Sequence, residues 1–385
     1  MVTLFLSYAG AIWWSLAVAL FCITLCCGLL QPFVQRRRCL KGQVPQTDPP
    51  PVSAIIPIKL LDPGFETAQA SMFRQNYTNY EVLISAAEQS SPALDAARQI
   101  ASAFPERPCR ILHSASEAAV SPKLNNLAAP LAEAEYDLVF TKDSNITLDP
   151  DTMAAFVQNF VKGVGLVVAV PVAVRPETFA GRVEAYLING HARLLLTAST
   201  LGIGFGVGKV MVFKRSDLAK SGGIAALSTT LSEDTALSQN LARLGLKTMF
   251  AHRTVAQEIG VRSLAEIYGR QLRWSVIRRT NERLTFPLEP LASPLPAALA
   301  GALAAPLLGI SAWLLFACTL LGWFAAETAF SLCKGWEVSI WSPLAFLGRE
   351  ILALTSWLRA FTTHDVVWAK IRFDARKGAL DETRG

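Results

Sequence analysis

Apolar residues fill three blocks of this chain almost completely, whereas the long middle segment alternates short apolar runs with polar residues. The apolar blocks are residues 4–30, 294–330 and 344–361. Because about 20 apolar residues suffice for a helix to cross the hydrocarbon core of a bilayer, the first block predicts one membrane span. It is too long for the core of a cleaved signal peptide and has no basic region before it. The second block is long enough for two spans and predicts a hairpin with a break near residues 309–311.

The basic residues beside the first block indicate its orientation. Gln35 is followed directly by Arg36, Arg37 and Arg38. The cytoplasmic flanks of membrane helices are rich in Arg and Lys. The N-terminus is therefore predicted to point outward, and the middle segment to begin on the cytoplasmic side.

The third block differs from the other two because it carries charged residues. Arg349, Glu350 and Arg359 lie inside it, and charged side chains are costly inside a membrane span. A full crossing would also place the basic residues that follow it outside the membrane, namely Lys370, Arg372, Arg376 and Lys377. The pattern therefore predicts a re-entrant or interfacial segment.

The middle segment alternates predicted strands with predicted helices. Apolar runs predict strands at residues 52–58, 81–87, 110–113, 138–141 and 165–170. Helices are predicted at residues 66–77, from Ser91-Pro92, at residues 123–134 and after Pro150. Such alternation favours an α/β fold with a mostly parallel sheet. The predicted organisation is an N-terminal span (1–35), a cytoplasmic α/β domain (51–284), a membrane hairpin (294–332) and an interfacial segment with a basic C-terminus (344–377).

Composition supports the membrane interpretation and excludes other classes. The chain is 52% hydrophobic and 17% charged, with a mean hydropathy of +0.34, which is too apolar for an average soluble domain. The net charge is +6 and the pI about 9.0. Many of the basic residues flank apolar blocks, which favours an anionic membrane surface over nucleic acid as the partner. No Cys or His spacing suggests zinc, and the domain at 51–284 contains only Cys109, as expected in a reducing compartment.

Asp143 is the first candidate for chemistry, since it follows the predicted strand at residues 138–141. Sheets of this type bind ligands beyond the carboxyl ends of their strands. A carboxylate there can hold a divalent cation against a diphosphate, although an Asp at this position can also serve only as a turn residue. No GxGxxG follows the first strand and no P-loop motif is present, which excludes the ordinary dinucleotide and P-loop classes.

The second candidate is Asp234 in the run Ser232-Glu233-Asp234, which begins a predicted helix. Ser232 is a good helix N-cap, and acidic residues are favoured in a first turn whatever their function. Alternatively, a carboxylate here can act as the general base that removes a proton from an acceptor hydroxyl.

Two groups of basic residues could bind phosphate. Arg270, Arg273 and Trp274 share one face of a predicted helix because of their spacing. Arg suits a diphosphate and Trp can stack on a sugar or lie at a membrane interface, but an interfacial basic helix would look the same. Lys123, after Ser121-Pro122, lies at a helix start and could contact a phosphate.

The order of these motifs resembles the ceramide glucosyltransferase family of inverting GT-A membrane glycosyltransferases. That family has three separated aspartates, then [Q/R]-x-x-R-W, and a Pro-Lys-x-Asn-Asn-Leu segment. This chain has Pro122-Lys123-Leu124-Asn125-Asn126-Leu127, Asp143, Asp234 and Arg270-x-x-Arg273-Trp274. The resemblance extends over residues 51–373 and includes Asp149-Pro-Asp-Thr152, His191-Ala-Arg193 and Arg349-Glu350.

The resemblance implies a GT-A-like domain flanked by transmembrane helices. It also implies a UDP-hexose donor such as UDP-glucose, a lipid acceptor such as the sphingolipid ceramide, inversion at the anomeric carbon, and Mg²⁺ or Mn²⁺. By the same resemblance, Asp143 anchors the metal and diphosphate, Asp234 is the base, and His191 lies near the acceptor. Lys123, Arg270, Arg273 and Trp274 are assigned to the nucleotide-sugar, with Trp274 also at the acceptor mouth.

One position departs from the family pattern. The first aspartate falls at Glu88, which would help to hold the nucleotide base or ribose. Glu can accept the same hydrogen bonds but reaches about one methylene further, so the resemblance leaves the geometry of the nucleotide open.

Other functions remain open at this stage. The acceptor could be a hopanoid or another lipid, and Glu88 leaves room for a catalytically inactive membrane scaffold. A processive polysaccharide synthase is disfavoured because those enzymes usually have more spans, and a transporter because no pathway is evident. The Ala-rich composition favours a bacterial inner membrane with the catalytic domain in the cytoplasm, and a eukaryotic source would suggest the Golgi.

Overall fold

The computed structural model describes residues 2–42, 48–230, 232–368 and 371–374, so Lys370, Arg376 and Lys377 of the predicted basic C-terminus lie outside the described residues. The chain divides into two compact units. The sheet unit comprises residues 30–174 and 195–260, and the helical unit residues 1–29, 175–194 and 261–385.

The sheet unit contains an eight-stranded sheet and short helices, and the helical unit contains longer helices. Two helices and one strand contribute to both units: α1 (Val2–Gly42), α6 (Phe179–Leu201) and β6 (Val164–Pro176). The other strands of the sheet are β1 (Val52–Pro57), β2 (Tyr80–Ala86), β3 (Cys109–His113), β4 (Leu138–Lys142), β5 (Ile146–Thr147), β7 (Val210–Lys214) and β8 (Lys247–Gly260). The helices of the sheet unit are α2 (Phe65–Phe73), α3 (Pro92–Ser102), α4 (Pro122–Glu133), α5 (Thr152–Gln158), α7 (Arg215–Lys220) and α8 (Glu233–Arg243), with a 3-10 turn at Ile224–Leu227. The helical unit has α9 (Leu264–Asn281), a 3-10 turn at Phe286–Ala292, α10 (Pro294–Leu308), α11 (Ala312–Cys333), α12 (Ser342–Ala360) and the hairpin β9 (Asp365–Trp368) and β10 (Ile371–Asp374).

The sheet is mixed, with the strand order β3-β2-β1-β4-β7-β6-β8-β5. Strands β3, β2, β1 and β4 are parallel, and Val52 of β1 lies opposite Tyr80 and Leu138. Strand β7 is antiparallel to both β4 and β6, and β5 is antiparallel to β8. The predicted α/β class is confirmed, and the parallel arrangement holds for the first half of the sheet.

Burial explains why the first strands read as continuous apolar runs. All residues of β1 and β2 are buried, as expected for parallel strands covered on both faces. The crossover helices begin where the sequence signals them. Ser91 caps α3 and Ser121 caps α4, each by accepting a hydrogen bond from the backbone N–H three residues later, and a proline follows each serine.

The strand directions bring several chain segments to one edge of the sheet. The carboxyl ends of β1, β2 and β4 lie at the same edge because these strands are parallel. Strand β7 runs in the opposite direction, and its first residue, Val210, lies opposite Lys142, the last residue of β4. Residues after β2 and β4 and residues before β7 therefore share this edge.

The helical unit is held together by close packing between its apolar helices. Phe21 stacks on Trp323 with 3.9 Å between ring centroids, and the Trp14 indole donates a hydrogen bond of 2.9 Å to Thr319. A Cβ added at Gly10 would lie 2.7 Å from the carbonyl oxygen of Ala300, so the backbones of α1 and α10 approach closely.

Two of the described helices, Val2–Lys41 and Ala312–Cys333, are long and apolar enough to cross a membrane, judged by length and composition. Helix α10 is apolar but shorter, and Gly309 ends it in a left-handed conformation, at φ 64°. The predicted domain boundaries and the membrane hairpin remain predictions.

Candidate active site

Asp143 lies directly after β4 and is surrounded by two lysines. Its Oδ1 is 2.7 Å from Lys123 Nζ, and its Oδ2 is 3.0 Å from Lys209 Nζ. The backbone N–H of Asp143 also donates a hydrogen bond of 3.0 Å to the carbonyl of Lys209. Strand pairing therefore fixes Lys209 beside the carboxylate, because the chain enters β7 next to the end of β4.

These contacts determine the charges within the cluster that Asp143 forms with Lys123 and Lys209. Burial alone would raise the pKa of the Asp143 carboxyl, but the ammonium groups of Lys123 and Lys209 outweigh it and lower this pKa to about 2. Burial would lower the pKa of Lys123, whereas the carboxylates of Asp143 and Glu233 raise it above its usual value. Asp143 is thus an anion and Lys123 a cation at neutral pH.

Lys123 connects Asp143 to the start of α8. Besides its contact with Asp143, its Nζ donates a hydrogen bond of 2.5 Å to the carbonyl of Gly208 and lies 3.4 Å from Glu233 Oε1. Because Ser121 fixes the first turn of α4, Lys123 is held in position by its own helix start. The sequence prediction of a functional lysine here remains a prediction, now with a defined position.

The two acidic residues of α8 differ in their surroundings. Glu233 is buried and accepts a hydrogen bond of 3.3 Å from the Ser121 hydroxyl, and burial together with the neighbouring Asp234 raises its pKa. Asp234 is only half-buried. Its Oδ1 accepts a hydrogen bond from the N–H of Thr235, and its Oδ2 accepts none from the residues that the structure describes. Of these two carboxyl groups, that of Asp234 is the more accessible to a ligand, and its predicted role as a base stays a prediction.

Ser232 occupies the N-cap position of α8, as predicted, but its side chain makes no capping hydrogen bond. The acidic first turn is instead held through Glu233, by Lys123 and Ser121. The local sequence suggested a cap because serine is common there. Contacts with a distant helix, α4, decide the arrangement.

A glycine-rich loop, residues 202–208, passes close to Asp234. A Cβ added at Gly206 would lie 2.0 Å from the carbonyl oxygen of Asp234, and one added at Gly208 would lie 3.2 Å from Asp234 Oδ2 and 3.3 Å from Lys123 Nζ. Neither this loop nor Lys209 was predicted to have a role. The sequence signal that could have indicated them is a glycine at every second position from Gly202 to Gly208, followed directly by Lys209.

The remaining predicted residue of the sheet unit, Glu88, lies after β2 at the same edge as Asp143 and is exposed. An exposed carboxylate at this edge is accessible to a ligand. Its predicted contact with a nucleotide stays a prediction.

Arg270, Arg273, Trp274 and His191 all belong to the helical unit. Arg270 forms an ion pair with the fully buried Glu184, which also lies 3.3 Å from Arg262, so α9 is tied to α6. Burial, and secondarily the charge of Arg270, lower the pKa of Arg273 to about 10, and it therefore stays charged at neutral pH. Trp274 is partly exposed on α9, and His191 is exposed on α6.

Comparison with known proteins decides the class. The sequence profile of glycosyl transferase family 21 matches residues 15–381, which is nearly the whole chain. The chain belongs to glycosyl transferase family 21. This match confirms the predicted enzyme class, a glycosyltransferase.

Ceramide glucosyltransferases are among the similar proteins. Ceramide glucosyltransferase 1 of Caenorhabditis elegans is 25% identical over 345 residues, which cover 87% of this chain and 73% of the relative. The ceramide glucosyltransferase of Komagataella phaffii is 27% identical over 191 residues, covering 43% of this chain and 38% of the relative. These matches confirm the family that the motifs indicate.

Solved glycosyltransferases show lower similarity. A mannosyltransferase from Pyrobaculum calidifontis in complex with GDP-mannose and Mn²⁺ is 17% identical, covers 91% of this chain and 99% of its own, and gives a TM-score of 0.48. Glucosyl-3-phosphoglycerate synthase from Mycobacterium tuberculosis, in complex with Mn²⁺, UDP and phosphoglyceric acid, is 14% identical. This match covers 60% of this chain and 78% of that chain, with a TM-score of 0.36.

The described residues of this glycosyltransferase offer a divalent cation few protein ligands. The described residues contain no group of three or more His, Cys, Asp or Glu side chains that could hold a metal. Asp143 provides one ionised carboxylate at the sheet edge. Mg²⁺ often takes one or two carboxylates together with substrate phosphates and water. Both oxygens of Asp143 contact lysine ammonium groups, so a cation at Asp143 would have to arrive with a diphosphate and replace one of these contacts.

Substitutions in the glycine loop should separate folding from catalysis. In Gly206→Ala the new methyl group meets the backbone of Asp234, which cannot yield cheaply, so we expect a loss of roughly 2 kcal/mol or more of stability. In Gly208→Ala it meets only the ends of two side chains, so the protein should fold while kcat falls about tenfold because Asp234 and Lys123 are displaced. Thermal unfolding and initial rates measure both effects.

Gly322→Ala is the control for these variants, because a Cβ at Gly322 meets no atom within 4 Å. It should leave both stability and rate close to those of the wild type. A Gly208→Ala variant with a wild-type rate would show that the loop does not position the two side chains for the reaction.

Proposed function

We propose that this glycosyltransferase transfers a hexose, with inversion, from a UDP-sugar to the hydroxyl of a membrane lipid. Glucose from UDP-glucose and ceramide are the donor and acceptor that we favour. The observation that carries the proposal is the juxtaposition of Asp234 with the cluster of Lys123, Asp143 and Lys209 in the sheet unit. The named relatives support the choice of sugar and lipid.

The chemistry follows from the charges of these groups. Asp234 takes the proton of the acceptor hydroxyl as its oxygen attacks the anomeric carbon. The bond between that carbon and the diphosphate oxygen breaks, and its electron pair leaves with the diphosphate. Negative charge grows on the leaving group, and the fixed ammonium groups of Lys123 and Lys209 stabilise it without any need to reorganise.

A divalent cation is a further part of the proposal. Asp143 would hold Mg²⁺ or Mn²⁺, which would neutralise charge on the diphosphate when it is bound. Lys123 and Lys209 both contact Asp143, and in the proposal their ammonium groups would bind the phosphates that the cation holds. Asp143 would thus position both lysines and the cation.

Three residues of the helical unit are assigned roles by the resemblance. We assign Arg273 to the diphosphate and His191 and Trp274 to the acceptor. The lowered pKa of Arg273 supports its role, because a site where burial opposes positive charge gains from an anion. Arg270 is engaged with Glu184, and we assign it to holding the helix that carries Arg273.

The membrane arrangement is likewise a proposal. The two apolar helices support an integral membrane protein. The basic residues Arg36–Arg38 favour a cytoplasmic catalytic domain. We favour the inner membrane of a bacterium over the Golgi because of the Ala-rich composition.

Mass spectrometry of lipids tests the function directly. A host that expresses this chain and contains ceramide and UDP-glucose should form a new hexosylceramide, and a host that expresses Asp234→Asn should not. A new hexosylated lipid of another class, such as a hopanoid, would overturn the choice of acceptor and keep the enzyme class. No new glycolipid, with donor and acceptors confirmed present, would favour an inactive scaffold, for which UDP binding without turnover is the expected behaviour.

A further inference from the structure

A cleft in the helical unit is lined by buried charged side chains that the proposed chemistry does not use. Helices α6, α11 and α12 form most of its walls. Aromatic residues border it, among them Tyr186, Phe330 and Trp336. Arg193, Glu327 and Arg349 also line it.

These charged groups form a network. Arg349 donates one hydrogen bond of 2.8 Å to Glu327 and another of 2.8 Å to Glu350, and Arg193 lies 3.4 Å from Glu327. The four side chains are only 6–8% exposed. Two positive and two negative charges therefore compensate each other inside the unit.

A purely structural role explains this network poorly. Removing charges from water is costly, and well-packed apolar residues often stabilise a protein as well as a buried ion pair does. Glu327 moreover lies within α11, one of the two helices apolar enough to cross a membrane. Ionisable residues in such helices commonly mark a binding site or a pathway. Here they border a cleft that is open to the surroundings.

A third arginine in the cleft indicates what the ligand offers. The Nε of Arg182 is buried and has no hydrogen-bond partner within the described part of the chain. A buried donor without an acceptor is costly. An oxygen atom of a ligand, such as an amide carbonyl or a hydroxyl, would satisfy this donor.

The balance of charge narrows the class of ligand further. Three arginines line the cleft, Arg182, Arg193 and Arg349, together with Glu327 and Glu337. A third carboxylate, that of Glu350, does not line the cleft but contacts Arg349 at 2.8 Å. Because this group of six side chains carries no net charge, we expect it to favour an uncharged polar group over a phosphate. Exposed apolar side chains of α11, including Leu321 and Leu332, provide a surface for hydrocarbon chains.

We propose that this cleft binds the uncharged, oxygen-bearing head of the lipid acceptor, with the amide and hydroxyl groups of a ceramide as the matching chemistry. The inference rests on the proposed function for the identity of the lipid. Arg182 donates to the head group, and the aromatic residues pack against the adjoining chain.

Gly190 offers a way to close the cleft without removing a charge. It lines the cleft, and a Cβ added there would lie 3.5 Å from Arg349 Nη1, which is an ordinary contact. Gly190→Ala should therefore fold, and the longer side chain of Gly190→Leu should extend into the cleft, with thermal unfolding of both variants as the check that they are folded. We expect the KM for ceramide to rise at least tenfold while the KM for UDP-glucose changes less than twofold. Gly322→Leu, on an exposed position of α11, is the matched control and should change neither constant.

Photocrosslinking provides a readout that does not depend on turnover. A short-chain ceramide with a diazirine group should label peptides of α6 and α11 in the wild type, and Gly190→Leu should lose this labelling. Activity without labelling of the cleft, or a KM for ceramide unchanged in Gly190→Leu, would overturn the inference. Labelling without any glycosylated lipid would keep the cleft as a lipid site and overturn the proposed function instead.

Discussion

Replacement of Asp234 by asparagine should reduce kcat by about 100- to 10,000-fold, the range usual for the loss of a general base. Asparagine has the same shape and can still accept the hydrogen bond from the N–H of Thr235. It cannot take the proton of an acceptor hydroxyl at neutral pH. The affinity for UDP should change little, because the two lysines and Asp143 remain in place. Rates with UDP-glucose and ceramide, and calorimetric titration with UDP, measure the two properties separately.

Two further variants show whether the loss of activity is specific to the carboxylate of Asp234. Asp95→Asn alters an Asp on α3 whose side chain is 68% exposed and pairs with Arg98 at the surface, so activity should be unchanged. Glu233→Gln removes a buried partner of Lys123, so it should weaken UDP binding as well as turnover. If Asp234→Asn kept more than a tenth of the wild-type kcat, the base would have to be another group.

The first half of the sheet could be predicted because its signals are local. The runs at residues 52–58 and 81–87 correspond to β1 and β2, whose burial on both faces requires continuous apolar residues. Ser-Pro pairs marked the starts of α3 and α4 for an equally local reason. Asp143 and Lys123 could be singled out as candidates because a strand end and a helix start can each be recognised from a few residues.

The second half of the sheet depends on contacts that are distant in sequence. Strand β7 inserts between β4 and β6 in antiparallel orientation, about 70 residues after β4. No local pattern states where such a strand pairs, so Lys209 could not be placed beside Asp143. The same holds for Arg270 and Glu184, which are separated by 86 residues. The sequence therefore assigned Arg270 to phosphate, whereas the structure pairs it with a buried carboxylate.

The glycine loop illustrates a different reason for a missed residue. Gly206 is required because the backbone carbonyl of Asp234 lies where a side chain would begin. That carbonyl belongs to a segment distant in sequence. The need for glycine therefore arises from a close backbone contact that exists only in the folded protein.

Replacement of Asp143 by asparagine should lower kcat/KM for the donor by roughly 100-fold or more, comparable to the loss of one preorganised group in a charged site. The carboxylate contacts Lys123 and Lys209 at 2.7 and 3.0 Å, and both lysines would lose this ion pair. Asp217→Asn is the matched control, because Asp217 also pairs with a lysine, Lys220 at 3.5 Å, in the sheet unit. That variant should keep the wild-type kinetics. Initial rates at varied UDP-glucose measure the effect.

The same substitution should change how stability depends on pH. The pKa of Asp143 is lowered from the usual 3.8 to about 2, so the folded state favours the ionised form. Its contribution, about 2 kcal/mol, is complete above pH 4 and is lost as the pH falls towards 2. The difference in unfolding free energy between the wild type and Asp143→Asn should therefore be largest at neutral pH and shrink below pH 4. A difference that did not vary with pH, together with unchanged kinetics, would contradict the role of Asp143 in the cluster. Unchanged kinetics with the expected pH dependence would make the cluster a structural ion pair and place the donor diphosphate elsewhere.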